Sequence, residues 1–134
     1  MTRWILIGTT AALSTFGTLG LGARLTAGGR TWDDAQARRV AVEFFHSQNV
    51  RQYDRTCALF SRGFYAKNRL PDRATCVALL RVGFMWSGQI DYRIGAVEHD
   101  GDHVVVRATA DRAPGRIVLV SERGRLKILS VRGG

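Results

Sequence analysis

Apolar side chains after residue 30 recur every three or four residues, which is the period of a helix with one buried face. The first predicted helix ends near His46, and its inward positions are Trp32, Ala35, Val40, Phe44 and Phe45. Thr31 and Asp34 are typical of a capping box, in which side chains accept the unpaired N–H groups at a helix start. The folded part of the chain is therefore predicted to begin with an amphipathic helix.

Two further helices are predicted, each with its own start signal. Asn49 and Gln52 precede a short helix, whose inward positions are Tyr53, Cys57 and Phe60. Residues 61–69 are predicted to form a connector. Pro71 and Asp72 then start a third helix. Its inward positions are Cys76, Leu79, Leu80 and Gly83.

The second half of the chain changes to strict alternation of apolar and polar positions, which is the period of a half-buried strand. The inward positions of the first two strands are Ile90, Tyr92, Ile94 and Ala96, then Val104, Val106, Ala108 and Ala110. An Asp-Gly pair at 100–101 predicts the hairpin between them. Strands at 117–120 and 126–131 follow turns predicted at 113–115 and 123–124. Three helices covering one face of a four-stranded antiparallel meander make an α+β fold.

The N-terminal segment differs from the rest of the chain. Residues 4–23, between Arg3 and Arg24, contain no ionisable side chain and match in length a helix that crosses a bilayer. The segment also resembles a secretory signal, and a helix in a soluble core is a third interpretation. We expect residues 1–30 to be a signal peptide or a membrane anchor with a short linker, and residues 31–134 to be the folded domain.

The two cysteines lie on the inward faces of two predicted helices. Cys57 and Cys76 are 19 residues apart, and facing helices can bring their thiols together. A disulfide that closes this loop would stabilise the fold by about 3 kcal/mol. The alternatives are two reduced thiols in the core or a metal site, although no further ligands stand at zinc spacing. We favour the disulfide.

Two features of the sequence give opposite predictions for the direction in which the N-terminal segment would cross a membrane. More arginines follow the segment than precede it, which by the positive-inside rule favours a cytoplasmic C-terminal domain. A disulfide favours an oxidising compartment instead. We follow the cysteines and expect a single-pass membrane protein with an extracytoplasmic C-terminal domain, or a secreted protein if the segment is cleaved.

The chain is strongly basic, with 20 Lys and Arg against 11 Asp and Glu and a net charge of +9. Its 46% hydrophobic content excludes a wholly disordered chain. Nearly all of the basic residues are arginine, which is typical of codon usage in a GC-rich genome. An arginine surface that binds phosphate or nucleic acid is the alternative. We expect no nucleic-acid partner.

Residues 34–132 resemble the nuclear transport factor 2-like superfamily, and most of all its small membrane-anchored extracytoplasmic members from high-GC bacteria. The resemblance is carried by Cys-Ala-Leu-Phe at 57–60, by Cys76 one helix later, and by Gly-Arg-Leu-Lys-Ile at 124–128. It implies a curved sheet wrapped around the helices and enclosing a conical cavity. These motifs are short, so the resemblance concerns fold and compartment rather than substrate.

Aromatic residues around the predicted helices and the first strand are the candidates for lining such a cavity. They are Tyr53, Phe64, Tyr65, Phe84, Trp86 and Tyr92. The alternative is that these side chains form the core. Enzymes of the superfamily that the chain resembles use an acid or a His–Asp pair inside the cavity. The candidates for this role in the present sequence are Asp54, Asp91 and His103. Each of the two acids also has a plain interpretation as a solvated surface residue, so we assign no catalytic residue.

The sequence gives little support for a metal site or for a known catalytic motif. The polar cluster at 99–103 could hold a metal only if both of its histidines faced one side, and a hairpin turn explains the same residues. His46 is interpreted as a cation near the negative end of a helix. Sequence motifs of nucleotide-binding loops, serine hydrolases and zinc proteases do not occur. We expect no cofactor and no metal.

Two functions from different classes remain. The first is a noncatalytic envelope domain that binds a partner protein or an apolar small ligand in the cavity. The second is a small enzyme of the isomerase or cyclase type using the same cavity. An acid beside a Tyr or His in an open cavity would favour the enzyme, and a cavity filled by aromatic side chains would favour binding. Arginines gathered on one face would favour a third function, the binding of anionic lipid or nucleic acid.

Overall fold

The computed structural model describes residues 32–85 and 87–133, which form helices followed by one antiparallel sheet. In chain order the described helices are α1 (Asp34–Asn49), α2 (Tyr53–Cys57), α3 (Arg62–Lys67) and α4 (Arg73–Phe84). The strands are β1 (Tyr92–Asp100), β2 (His103–Ala110), β3 (Ala113–Glu122) and β4 (Arg125–Gly133). The predicted α+β class and the four-stranded antiparallel sheet are confirmed.

The predicted signal peptide or membrane anchor at 1–30 lies outside the described residues. Within the described part of the chain, no helix has the length and apolar character needed to cross a membrane.

Helix α1 starts with a capping box, but not with the predicted pair. The Asp33 carboxylate accepts the Gln36 N–H at 2.8 Å, and the Gln36 side chain accepts the Asp33 N–H at 3.1 Å. Thr31 lies outside the described residues, and Asp34 is the first residue of the helix rather than the third, so the prediction of this pair as the capping box is wrong. Ala35, predicted to be inward, is exposed. The buried apolar positions of the helix are Ala37, Ala41, Phe44 and Phe45.

Asn49 has a different role from the predicted one. The N-cap residue of helix α2 is Gln52, and no side chain caps this helix. The Asn49 side-chain amide instead donates to the Ile90 carbonyl at 3.0 Å, and its oxygen accepts the Ile90 N–H at 2.6 Å. These two hydrogen bonds join the end of α1 to the residues that precede β1.

The predicted connector at 61–69 contains helix α3, so the prediction of three helices is wrong for this segment. The Ser61 hydroxyl caps the helix by accepting the Phe64 N–H at 3.0 Å, and the Asn68 side chain donates to the Phe64 carbonyl at 2.9 Å. Phe64 is the one buried residue of α3. A single inward position cannot produce a helical period in the sequence, which is why periodicity does not detect this element.

Helix α4 starts where predicted. The Asp72 carboxylate accepts from the Thr75 N–H and hydroxyl, both at 2.8 Å. Its buried positions are Cys76, Leu80 and Phe84. Leu79 is 57% exposed and Gly83 is also exposed, so the prediction that they face inward is wrong. Successive residues of a helix are separated by about 100°, and Leu79 therefore cannot share the narrow inward face of Leu80.

The four strands pair in the order β1-β2-β3-β4, each antiparallel to the next. The turn predicted at 123–124 is confirmed, whereas the turn predicted at Asp100 and Gly101 lies one residue later, at Gly101 and Asp102. Asp100 pairs with His103 around Gly101, whose φ is 63°, and Glu122 pairs with Arg125 around Arg123 and Gly124. Residues with positive φ at these tight turns match the right-handed twist of the strands.

The middle turn is not at the predicted residues 113–115. Ala110 pairs with Ala113, so the turn is formed by Asp111 and Arg112, with φ values of 53° and 70°. Residues 113–115 belong to β3, which starts four residues earlier than the predicted 117–120. Neither turn residue is glycine, and the Pro-Gly pair that follows gives a stronger but misleading turn signal.

Irregularities in β1 and β4 change which side chains face inward. The pairing of β1 shifts between Ile94 and Val97, so Ala96 is exposed and Val97 is half-buried. The prediction that Ala96 faces inward is wrong because an extra residue in a strand reverses the alternation. A second shift lies between Val118 and Leu119 of β3, where β4 contributes the extra residue.

The core lies between the helices and one face of the sheet. The inward residues of β2 are all buried, as predicted: Val104, Val106, Ala108 and Ala110. The outer edge of β4 is joined to the helical half, because Ser61 N–H donates to the Ile128 carbonyl and Ile128 N–H donates to the Leu59 carbonyl, at 2.9 and 2.7 Å. None of the described helices packs on the opposite face of the two central strands, where Arg107 and Arg116 are exposed.

Candidate functional site

Aromatic rings fill the space between the helices and the sheet. The Phe60 and Phe64 rings stack with centroids 3.8 Å apart, and Phe44 meets Phe45 edge to face at 5.1 Å. Two of the predicted cavity residues, Tyr53 and Phe84, stack on one another at 6.4 Å. Tyr53, Phe64 and Phe84 are each at most 5% exposed. These side chains therefore contribute to the packed core.

The other three predicted cavity residues differ in position. The Tyr92 ring is half-buried and stacks on Phe45 at 4.7 Å. The Tyr65 hydroxyl donates to the Cys57 carbonyl at 2.8 Å. Burial raises the pKa of the Tyr65 phenol, which donates this hydrogen bond. Trp86 lies outside the described residues.

Cys57 and Cys76 form a disulfide, as predicted. Their sulfur atoms are 2.04 Å apart and their Cα atoms are 6.1 Å apart. The two residues are 1% and 2% exposed, so the bond lies inside the core and links α2 to α4. The described part of the chain contains no free cysteine.

The acidic and histidine residues considered for catalysis lie apart from the aromatic core. The Asp54 side chain is 72% exposed, and its carboxylate is 3.7 Å from the Arg73 guanidinium. Asp91 is exposed, and its N–H donates to the Asp111 carboxylate at 3.0 Å. His103 is half-buried and starts β2 after the first turn. The structure thus gives each of them a surface or turn environment.

The histidine-rich hairpin forms a turn. His99 contacts Asp34 of α1, with His99 Nε2 3.1 Å from the carboxylate oxygen. Within the described ranges, no group of three or more His, Cys, Asp or Glu side chains is placed to hold a metal ion. His46 lies exposed in the last turn of α1, where a cation complements the helix dipole.

Arginines are concentrated on the outer face of the sheet. Arg107 of β2 pairs directly with Arg116 of β3, and Arg116 pairs directly with Arg132 of β4. All three are exposed. We call these three residues the arginine row. Adjacent strands are about 4.8 Å apart, so the row places three basic side chains along a line of about 10 Å across the sheet.

A cleft lies beside the arginine row on the same face. It has a volume of about 380 Å³. Its lining residues are Arg93, Ile94, Gly95, Arg107, Ala108, Thr109, Pro114, Gly115 and Arg116. Gly95 lies close to β2, since a Cβ built at this position would be 3.3 Å from the Arg107 carbonyl oxygen. The cleft therefore combines guanidinium groups with small and apolar surface.

The charge on this face is only partly balanced. Glu98 of β1 forms an ion pair with Arg107, with 3.0 Å between Arg107 Nε and the carboxylate. Among the described residues, no carboxylate lies within ion-pair distance of Arg93, Arg116 or Arg132. Glu98 is thus the one acid that forms an ion pair with any of these four arginines, and the charge around the arginine row is positive.

The arginine row is not predicted by the pattern of apolar and polar positions along the chain. A signal was present, because Arg107 and Arg116 are equally far from the turn at Asp111 and Arg112. The position of Arg132 depends on the irregularity between β3 and β4, without which Val131 would lie opposite Arg116.

Comparison with protein-family models finds no match for the chain, and comparison with curated proteins finds no similar sequence. The function of the domain is therefore inferred from the contacts, burial and charge of its own residues.

Proposed function

We propose that this chain is a noncatalytic domain of the cell envelope, displayed outside the cytoplasm by its N-terminal segment, that binds a partner protein. The observation that carries the proposal is the contrast between the two faces of the sheet. The inward face is covered by packed aromatic side chains, whereas the outward face has a basic cleft and the arginine row.

The packing favours a partner protein over an apolar small ligand. A ligand site needs side chains with accessible surface around an open space. Tyr53, Phe64 and Phe84 are buried against other residues of the domain instead. The outward face of the sheet, in contrast, has exposed arginines that could be contacted. Because these arginines lie on several neighbouring strands, the face suits a macromolecule that lies across the strands.

The disulfide supports the proposed compartment. Disulfides persist in secreted and extracytoplasmic proteins, and the cytosol keeps most thiols reduced. The apolar segment at 4–23 would provide the export signal and, if it is retained, the anchor. The resemblance to small envelope members of the nuclear transport factor 2-like superfamily is part of the same proposal.

The isomerase or cyclase function receives no support from the described residues. Such an enzyme needs a carboxylate base beside a donor for the developing oxyanion, both shielded from water. The Asp54 carboxylate is exposed and lies near the Arg73 guanidinium. The Tyr65 hydroxyl already donates its hydrogen bond to the Cys57 carbonyl. We therefore propose no catalytic role for these residues.

Site-specific crosslinking in cells tests the proposed function. A photo-activated residue replaces Thr109, which lines the cleft, or as a matched control Ala78, which is exposed on α4. We expect one defined crosslinked protein from position 109 and none from position 78. Protease added to cells stripped of their wall should also digest the domain. Crosslinks from position 78 alone, or a domain protected from protease, would contradict the proposal.

A further inference from the structure

The arginine row is an arrangement that the fold alone does not explain. Like charges directly opposite one another on neighbouring strands destabilise a sheet. Here Arg107, Arg116 and Arg132 occupy consecutive cross-strand positions, and Glu98 balances only the first of them. An anion bound across the strands would remove this repulsion.

Resting on the proposed function, we infer that the arginine row and the adjoining cleft bind an acidic segment of the partner protein. The carboxylates of that segment pair with Arg116 and Arg132, while neighbouring side chains of the segment contact the cleft beside Arg107 and Arg116. Arginine suits this role, because its planar guanidinium meets a carboxylate through two parallel hydrogen bonds.

The spacing of the row fits acidic residues on one side of a helix. Side chains three or four residues apart on a helix have Cβ atoms about 5–6 Å apart. Neighbouring strands place Arg107, Arg116 and Arg132 about 4.8 Å apart. A helix with acids at such positions, lying across the strands, would present one carboxylate to Arg116 and one to Arg132.

Two other occupants fit the face less well. A second copy of this chain would bring its own arginine row against this one, with Glu98 already paired to Arg107. A single-stranded nucleic acid is held largely by bases stacked on aromatic rings. The cleft is lined by arginine, glycine and small or apolar residues such as Thr109 and Pro114, without an aromatic ring. We therefore favour the acidic protein segment.

The test uses the purified full chain, held in detergent, and a helix-forming peptide of about 16 residues with Glu at every third or fourth position. A second peptide has Gln in place of each Glu. One protein variant carries Arg116→Gln and Arg132→Gln. A matched control carries Arg39→Gln and Arg81→Gln, which removes the same charge from exposed positions on α1 and α4. Titration calorimetry gives the Kd for each pair.

We expect the Glu peptide to bind and the Gln peptide not to bind. Losing each arginine should weaken binding by about fivefold, so the double variant should lose about 25-fold. The control variant should change Kd by less than about twofold, because distant exposed charges are screened. Circular dichroism should show the same fold for all variants.

Three results would overturn the inference. The Glu peptide could fail to bind, the two double variants could weaken its binding equally, or a single-stranded oligonucleotide could bind more tightly than the peptide through the same arginines. The last result would identify a nucleic-acid surface. If the peptide fails but position 109 still crosslinks to a protein in cells, the proposed function stands and the chemistry inferred for the partner is wrong.

Discussion

Removing the disulfide is the perturbation whose effect follows most directly from the structure. The bond between Cys57 and Cys76 joins α2 to α4 inside the core. The intervening chain includes α3, whose buried part is mainly Phe64. Without the bond, the unfolded chain gains freedom over the whole of this loop, while the folded state keeps its other contacts.

The expected loss can be worked from the length of the loop. The cysteines are 19 residues apart, and the chain-entropy treatment of a loop of that length gives about 3 kcal/mol at 25 °C. Small domains have total stabilities of about 5–15 kcal/mol, so this is a large share. With a urea m-value of about 1.5 kcal/mol per molar, the midpoint of unfolding should fall by about 2 M.

Urea unfolding of the full chain, followed by circular dichroism, measures this loss with and without a phosphine reductant. The Cys57→Ala/Cys76→Ala variant is the control, because reductant can change its midpoint only through effects unrelated to the disulfide. We expect reductant to lower the midpoint of the native protein and to leave that of the variant unchanged. An unchanged midpoint for the native protein after complete reduction would refute the reasoning.

Three further predictions concern the core, the helix junction and a helix cap. Phe64→Ala should lower the free energy of unfolding by about 4 kcal/mol, measured by thermal unfolding, because it removes a buried ring stacked on Phe60. The control Leu79→Ala, on the exposed side of α4, should lower it by less than about 0.5 kcal/mol. Equal losses would contradict the burial of Phe64. Asn49→Ala should cost about 2 kcal/mol, because it leaves the Ile90 N–H and carbonyl without their partner, and faster amide exchange at Ile90 should accompany the loss. The hydrogen bond from the Thr75 N–H lowers the pKa of the Asp72 carboxyl in the folded protein. The ionised carboxylate therefore stabilises α4 at any pH above the pKa that Asp72 has in the unfolded chain. This stabilisation is lost as the pH falls through the lower pKa that Asp72 has in the folded protein. The difference in thermal midpoint between the native protein and Asp72→Ala should therefore narrow as the pH falls below about 4, and a difference that widens with acid would contradict this sign.

Sequence pattern predicts those parts of the fold that have several inward residues in phase. The β2 strand is an example, since Val104, Val106 and Ala108 alternate without interruption and all are buried. Helix α4 is another, because a capping Asp72 precedes it and Cys76 and Leu80 repeat at helical spacing. In both cases the local preference and the tertiary packing favour the same structure.

Prediction fails where long-range contacts override the local signal. The turn at Asp111 and Arg112 is formed by two residues with positive φ, although a Pro-Gly pair lies just beyond it. Asn49 looks like a helix cap and instead binds Ile90, which is 41 residues away. A sequence alone does not show which distant residue will be close enough to compete for a side chain.

The candidate site depends on these same details. With the middle turn displaced, Arg107 and Arg116 would not be expected to pair, and without the irregularity in β4 Arg132 would not join them. Composition shows an excess of arginine but not its location. The aromatic residues are easier to detect by sequence, and the structure places Tyr53, Phe64 and Phe84 in the core.

The central claim is that the outward face of the sheet, rather than the interior, binds the partner. Nuclear magnetic resonance of the full chain, titrated with the Glu-rich peptide, tests it residue by residue. We expect the backbone amide shifts to move at Thr109, Arg116 and Arg132, while the amides of Phe45 and Phe64 in the core stay in place. Shifts confined to the core residues or to α4 would contradict the claim.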